Sequence, residues 1–106
     1  MRIKRMRLSQ IFPEIKKAAR QRERFDRDAA KIESWVSVNQ LRFARNNIRK
    51  LVFTVLRDFE EYSRRAFLSE IHSRWGSMID VGECIDEYRY RQEAKAVMRS
   101  LGRSRD

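Results

Sequence analysis

The sequence holds one cysteine, one proline, one histidine and three glycines in 106 residues, and each scarcity excludes something. A lone Cys84 cannot close an intramolecular disulfide. It fits a reducing compartment, the cytoplasm or the interior of a virion. One Cys and one His cannot build a structural zinc site, so neither a metal nor another cofactor is expected. Gly76, Gly82 and Gly102 are isolated from one another, which rules out a glycine-rich loop cradling phosphates. No apolar run approaches the ~18 residues of a membrane-spanning helix, and no signal-peptide core is present. The expectation is no integral membrane association. The length allows one domain, residues 1–106, with one modest core.

What the sequence has in abundance is positive charge. Lys and Arg number 25 against 15 Asp and Glu, for a net charge of +10 and a pI near 10.6. Leu, Ile, Val and Phe together make 26 of the 106 residues, enough for a charged chain to fold rather than stay disordered. The charge is polarised: residues 1–57 balance to +11 and residues 58–106 to −1. Residues 1–13 carry Arg2, Lys4, Arg5 and Arg7 with no acid, and residues 34–57 carry Arg42, Arg45, Arg49, Lys50 and Arg57 with none. Such blocks meet phosphates, acidic protein surface or anionic lipid. Arg outnumbers Lys 19 to 6. Guanidinium forks suit bidentate phosphate binding; the codon bias of a GC-rich genome yields the same excess.

The apolar spacing predicts an all-α chain of three helices with a long central one and basic termini. A basic arm spans residues 1–12. The first helix, about 13–35, opens at Pro13, which suits a first turn because its missing N–H has no partner there. Ile15, Ala18, Phe25, Ala29, Ile32 and Val36 form its apolar stripe, interrupted by Arg22. Ser37-Val38-Asn39-Gln40 matches a capping box, with Val36 and Leu41 at the staple positions. The second helix, about 38–75, would be roughly 57 Å long, with a kink possible where polar residues crowd at 58–63. Gly76 is placed as a left-handed C′ residue. Asp80-Val81-Gly82-Glu83 repeats the start signal, with Ile79 and Cys84 as a second staple. The third helix runs about 81–101, Gly102 ends it, and a basic tail spans 102–106.

If both turns reverse the chain, the first helix covers the N-terminal half of the long one and the third covers its C-terminal half. Phe43, Phe53, Leu56, Phe67 and Leu68 lie off the main stripe of the long helix. Left uncovered, they mark a protein interface, in a homo-oligomer or a larger complex. A kinked central helix would instead give a four-helix arrangement that buries them in one chain.

No catalytic constellation emerges, and the chain reads as non-enzymatic. Cys84 and His72 fall on different elements, and Cys84 holds a position that favours burial. The carboxylate pairs are sequence neighbours or an ordinary acidic first turn, with no sign of a desolvated acid/base pair. The candidates for nucleic acid or an acidic surface are Arg2, Lys4, Arg5, Arg7, Lys16, Arg20, Arg24, Arg42, Arg45, Arg49 and Lys50. Arg42, Arg45 and Arg49 share a stripe beside Asn46 and Asn47, residue types that contact base edges and phosphates. The stripe of Lys16, Arg20, Arg24, Arg27 and Lys31 is the weaker one, because Glu23, Asp26 and Asp28 offer it i, i+4 partners. Tyr88 and Tyr90 point about 200° apart on a helix, so they read as one packed and one exposed ring. The expected function is a structural or adaptor component of a larger assembly of nucleoprotein type (phage, viral or ribonucleoprotein), its basic half on DNA, RNA or acidic surface. The alternatives are a dimeric DNA-binding regulator using residues 42–50, and a helical inhibitor or adaptor that docks an acidic protein.

Overall fold

The computed structural model describes residues 8–104 of the chain, and the side chains of residues 13–102. These residues are all-helical, with no strand among them: α1 (Leu8–Ser37), α2 (Leu41–Asp58), α3 (Glu61–Trp75) and α4 (Val81–Ser104). The predicted central helix is therefore two helices, and the break falls inside the polar stretch where a kink was expected. The apolar stripe shows why. Through α2 it runs Ala44, Ile48, Leu51/Val52 and Val55 to Phe59, all buried. A continuous helix would next bury Tyr62 and Ala66, yet both are exposed. Burial resumes one residue out of phase, at Phe67, Ile71 and Trp75, so the chain must reset its direction between the two stripes.

The reset is held by hydrogen bonds that account for the backbone at the break. Phe59 and Glu60 are extended (φ −86, ψ 154 and φ −63, ψ 142). The Phe59 amide still donates to the Val55 carbonyl at 3.3 Å, and the Phe59 carbonyl accepts from Arg64 Nε at 3.1 Å. Glu60 caps α3 without a side-chain bond of its own. Its amide donates instead to Oε1 of Gln21 on α1, at 2.7 Å, and the Ser63 hydroxyl donates to the same oxygen at 3.0 Å. Gln21 is buried, and its Nε2 donates back to the Lys17 carbonyl at 3.3 Å. A side chain 39 residues away thus supplies the acceptor that the start of α3 lacks.

The other two turns differ in how they form. The turn at 38–40 lies where the capping box was predicted, but α1 continues through Ser37, whose hydroxyl donates to the Ser34 carbonyl. The turn is made by Asn39 at φ 59. Gln40 N–H bonds the Trp35 carbonyl (2.9 Å) and Asn39 N–H the Val36 carbonyl (3.0 Å), the two bonds of a Schellman ending with Asn in the left-handed position. α2 then starts at Gln40 with no side-chain cap. At the third turn the predicted start is present: the Glu83 amide donates to Asp80 Oδ1 at 3.0 Å. Gly76 is right-handed (φ −61, ψ −20) rather than left-handed. A Cβ there would run into the His72 carbonyl, so the position needs glycine. α1 begins before Pro13, which sits inside the helix and adds no N–H to its ladder. The basic arm is therefore shorter than 1–12, and α4 continues past Gly102.

α1 and α2 are antiparallel, pinned at one end by Trp35 on Phe43 (ring centroids 5.0 Å) and at the other by Arg24 with Asp58 (3.1 Å). α3 returns beside α1, joined by Phe25 on Phe67 at 4.8 Å and by Trp75 Nε1 donating to Glu33 Oε1 at 2.8 Å. α4 does not cover the C-terminal half of a long helix as expected; it packs mainly on α2, with Tyr88 against Phe53. Tyr90 points outward, 72 % exposed. One core joins all four helices, from Phe25 and Ile32 through Ile48, Val52 and Val55 to Phe67, Ile71, Val81 and Cys84. The result is a slab 53 by 52 by 18 Å, thin enough that much of α1 and α2 faces solvent.

Replacing Gln21 by Met keeps the shape and removes the acceptor. The variant is expected to lose roughly 0.5–1.5 kcal/mol, the net worth of a typical hydrogen bond, measured as a lower urea midpoint at unchanged slope. Loss of less than about 0.5 kcal/mol would show that the break does not depend on this bond.

Candidate functional site

The site is best read by separating cations that hold the fold together from cations that do not. Arg22, the interruption in the α1 stripe, makes a fork: it donates to Glu70 of α3 at 2.8 and 3.0 Å and to Asp26 at 2.6 and 3.1 Å. Its guanidinium also lies over the rings of Phe25 (5.0 Å) and Phe67 (5.2 Å), roofing the aromatic core. Arg74 joins it on Glu70 at 2.8 Å. These bonds hold the Glu70 and Asp26 carboxyls below their usual range, Arg22 being the chief cause in both. Arg24 and Arg57 share Asp58, whose carboxyl is lowered chiefly by Arg57. Lys17 reaches Glu60 at 3.5 Å, and Arg49 reaches Glu87 of α4 at 3.8 Å. Of the predicted binding residues, Arg24 and Arg49 are therefore engaged across helix boundaries.

The remaining described candidates are Lys16, Arg20, Arg42, Arg45 and Lys50, all exposed. Among the described residues none of them forms an ion pair, and neither do Arg27 and Lys31. Arg2, Lys4, Arg5 and Arg7 lie outside the described residues. On α1, Lys16, Arg20, Arg27 and Lys31 fall opposite the buried Phe25, Ala29 and Ile32. On α2, Arg42, Asn46 and Lys50 are spaced four apart on the side away from Ile48, Leu51 and Val55. The two anchors of the antiparallel pair set the register between them, so Lys31 lies opposite the stretch that holds Asn47 and Lys50. The two helices thus share one outward face that is basic and rich in amides.

Reading the sequence alone sets Arg27 and Lys31 aside, because nearby acids offer them local partners. The structure sends Asp26 to Arg22 instead, and no i, i+4 pair forms along the outer stripe among the described residues. Arg22–Asp26 is itself an i, i+4 pair, so helical spacing alone does not say which cation an acid takes, and the second partner of Arg22, Glu70, is 48 residues away.

The five apolar residues expected at an interface are placed in four ways. Phe67 belongs to the core, packed edge-on against Phe59 at 4.9 Å. Phe53 is half-buried under Tyr88 and Arg91. Leu56 and Leu68 are half-buried, and they line an open groove of about 640 Å³ between α2, α3 and α4, with Val81 and Ile85 as further apolar lining and Arg64, Arg65, Arg89 and Glu61 around them. Phe43 is separate from all of these. It is half-exposed on the α1–α2 side, against Trp35.

Cys84 is buried, and burial pushes its thiol up, with Arg49 only partly opposing. A nucleophilic thiol needs the reverse. His72 is exposed near the end of α3. Among the described residues no helix is long and apolar enough to cross a membrane, and no cluster of His, Cys, Asp and Glu could hold a metal ion. No protein-family model, curated protein or solved structure matches the chain.

The lowered Glu70 and Asp26 carboxyls predict an acid-sensitive fold. Because folding depresses these values, their contribution is complete above the ordinary carboxylate value, 4.5 for Glu70, and is lost as pH falls through the folded value. Urea midpoints followed downward from neutral pH should fall below about pH 4.5, and Arg22→Met should flatten that fall. An unchanged profile in the variant would contradict the role given to the fork.

Proposed function

We propose that the chain is a non-enzymatic helical connector in a larger assembly of nucleoprotein type. Its outward α1–α2 face lies on phosphates, and its groove between α2, α3 and α4 takes a protein. One observation carries the reading: Arg22, Arg24 and Arg49 pair with acids of other helices, whereas Lys16, Arg20, Arg27, Lys31, Arg42 and Lys50 share an outer face with no acid paired to them among the described residues, and the exposed Arg45 is likewise unpaired there. Unpaired guanidinium and ammonium groups on one face are the electrostatic footprint of polyanion binding. Asn46, Asn47 and Gln40 add neutral donors that contact sugars and phosphates. The groove supports the second half of the proposal. It gathers half-buried leucine and isoleucine side chains in one concave place, and its basic surroundings favour a partner with acidic flanks. The burial of Cys84 speaks for the non-enzymatic reading.

Binding to mixed-sequence duplex DNA or RNA should weaken steeply as salt rises, because each neutralised phosphate releases counterions. The triple variant Arg42→Ala, Arg45→Ala, Lys50→Ala, which spares the internally paired Arg49, is expected to reduce the slope of log K against log salt by about 2–3. Its loss of affinity should be uniform across sequences. A loss of sequence preference instead would favour a DNA-binding regulator. No binding at low salt would overturn the phosphate reading and leave an acidic protein as the partner.

A further inference from the structure

We infer that Phe43, stacked on Trp35, is a base-stacking platform, and that the basic face binds unpaired rather than duplex nucleic acid. The inference rests on the phosphate reading above and narrows it to single strands.

Phe43 is 49 % exposed, in the first turn of α2. Its ring lies on Trp35 at a centroid distance of 5.0 Å and 27° between planes, a nearly parallel stack. Trp35 covers one side of Phe43 and the exposure falls on the rest. The stack is therefore preformed, and a planar ring can continue it without moving the helices. Asn47 donates to the Phe43 carbonyl at 2.8 Å, which ties the amide to the same turn.

The surroundings of the ring decide among ligands. A helix that docks in a partner's groove, or lies in a lipid interface, presents apolar groups at i, i+3/i+4 and i+7. From Phe43 those positions hold Asn46, Asn47 and Lys50, and the preceding turn holds Asn39 and Gln40. Along its own helix face Phe43 is thus followed by amides and Lys50, Lys31 lies across on α1, and the preceding turn also exposes Val38. That combination, a π-face for a base and cations for the backbone on both sides, is how proteins hold single strands without reading their sequence. A duplex keeps its bases stacked on each other and offers nothing to the ring.

The test uses a labelled oligothymidylate of roughly a dozen nucleotides, a mixed-sequence duplex of equal length, and vesicles of phosphatidylserine and phosphatidylcholine. Wild-type protein is expected to prefer the oligothymidylate. Phe43→Leu keeps apolar packing on Trp35 but removes the ring. It should weaken single-strand binding about five-fold or more and leave duplex binding unchanged, while Phe43→Tyr should retain wild-type affinity. Binding should also quench Trp35 fluorescence, and Trp35→Phe should abolish the quench while keeping the stack, a readout available even if Phe43→Leu folds poorly. Equal single-strand and duplex binding with no effect of Phe43→Leu would overturn the stacking inference and leave the phosphate reading standing. Binding of neither oligonucleotide, with or without vesicle binding, would overturn both.

Discussion

One buried amide, Gln21, sits at the point on which the arrangement of the four helices depends. Phe59 and Glu60 leave the helical path, so the Glu60 amide has no acceptor within a helix, and Gln21 Oε1 is its partner. Losing such a bond costs about 0.5–1.5 kcal/mol, a noticeable part of the about 5–15 kcal/mol that a small domain has in all, and the part-buried Arg22–Glu70 pair works beside it. The bond also joins α1 to the α2–α3 junction, and with the Phe25, Phe59 and Phe67 rings beside it, it makes the reset of direction part of the core.

The surface follows from that reset. Folding α3 back beside α1 brings Glu70 to Arg22, and packing α4 on α2 brings Glu87 to Arg49. Four acids of the second half of the chain, Asp58, Glu60, Glu70 and Glu87, are thereby drawn to the sides where helices meet. The outer side of α1 and α2 keeps its cations without acidic partners among the described residues. The sequence polarity of +11 on residues 1–57 and −1 on residues 58–106 becomes a difference between faces of the molecule, which is what a two-sided connector requires.

Much of this is legible in the sequence. The period of the apolar residues identified an all-α chain, and the Asp80 start signal is present as a hydrogen bond. The turn near residue 38 was found for the wrong reason. Ser37 looked like a start, whereas Asn39 in a left-handed conformation makes an ending. The drift of Ile71 and Trp75 from the α2 stripe was the trace of the helix break, but the acceptor that stabilises it is 39 residues away, and nothing local announces it. The same limit applies to the site. Exposed and paired arginines look alike in sequence, and only the fold distinguishes Arg49, drawn to Glu87, from Arg42 and Arg45. Phe43 is visible as an apolar residue off the stripe and among amides, but its stack on Trp35 follows only from the packing of α1 on α2.

The most direct test of the connector account is the composition of the native particle, isolated at low salt from the cells that make this chain. The account predicts a mass well above the 12.9 kDa of one chain, an ultraviolet spectrum dominated by nucleic acid, and release of the chain when nuclease is added. A free chain of that mass with the spectrum of protein alone would contradict it.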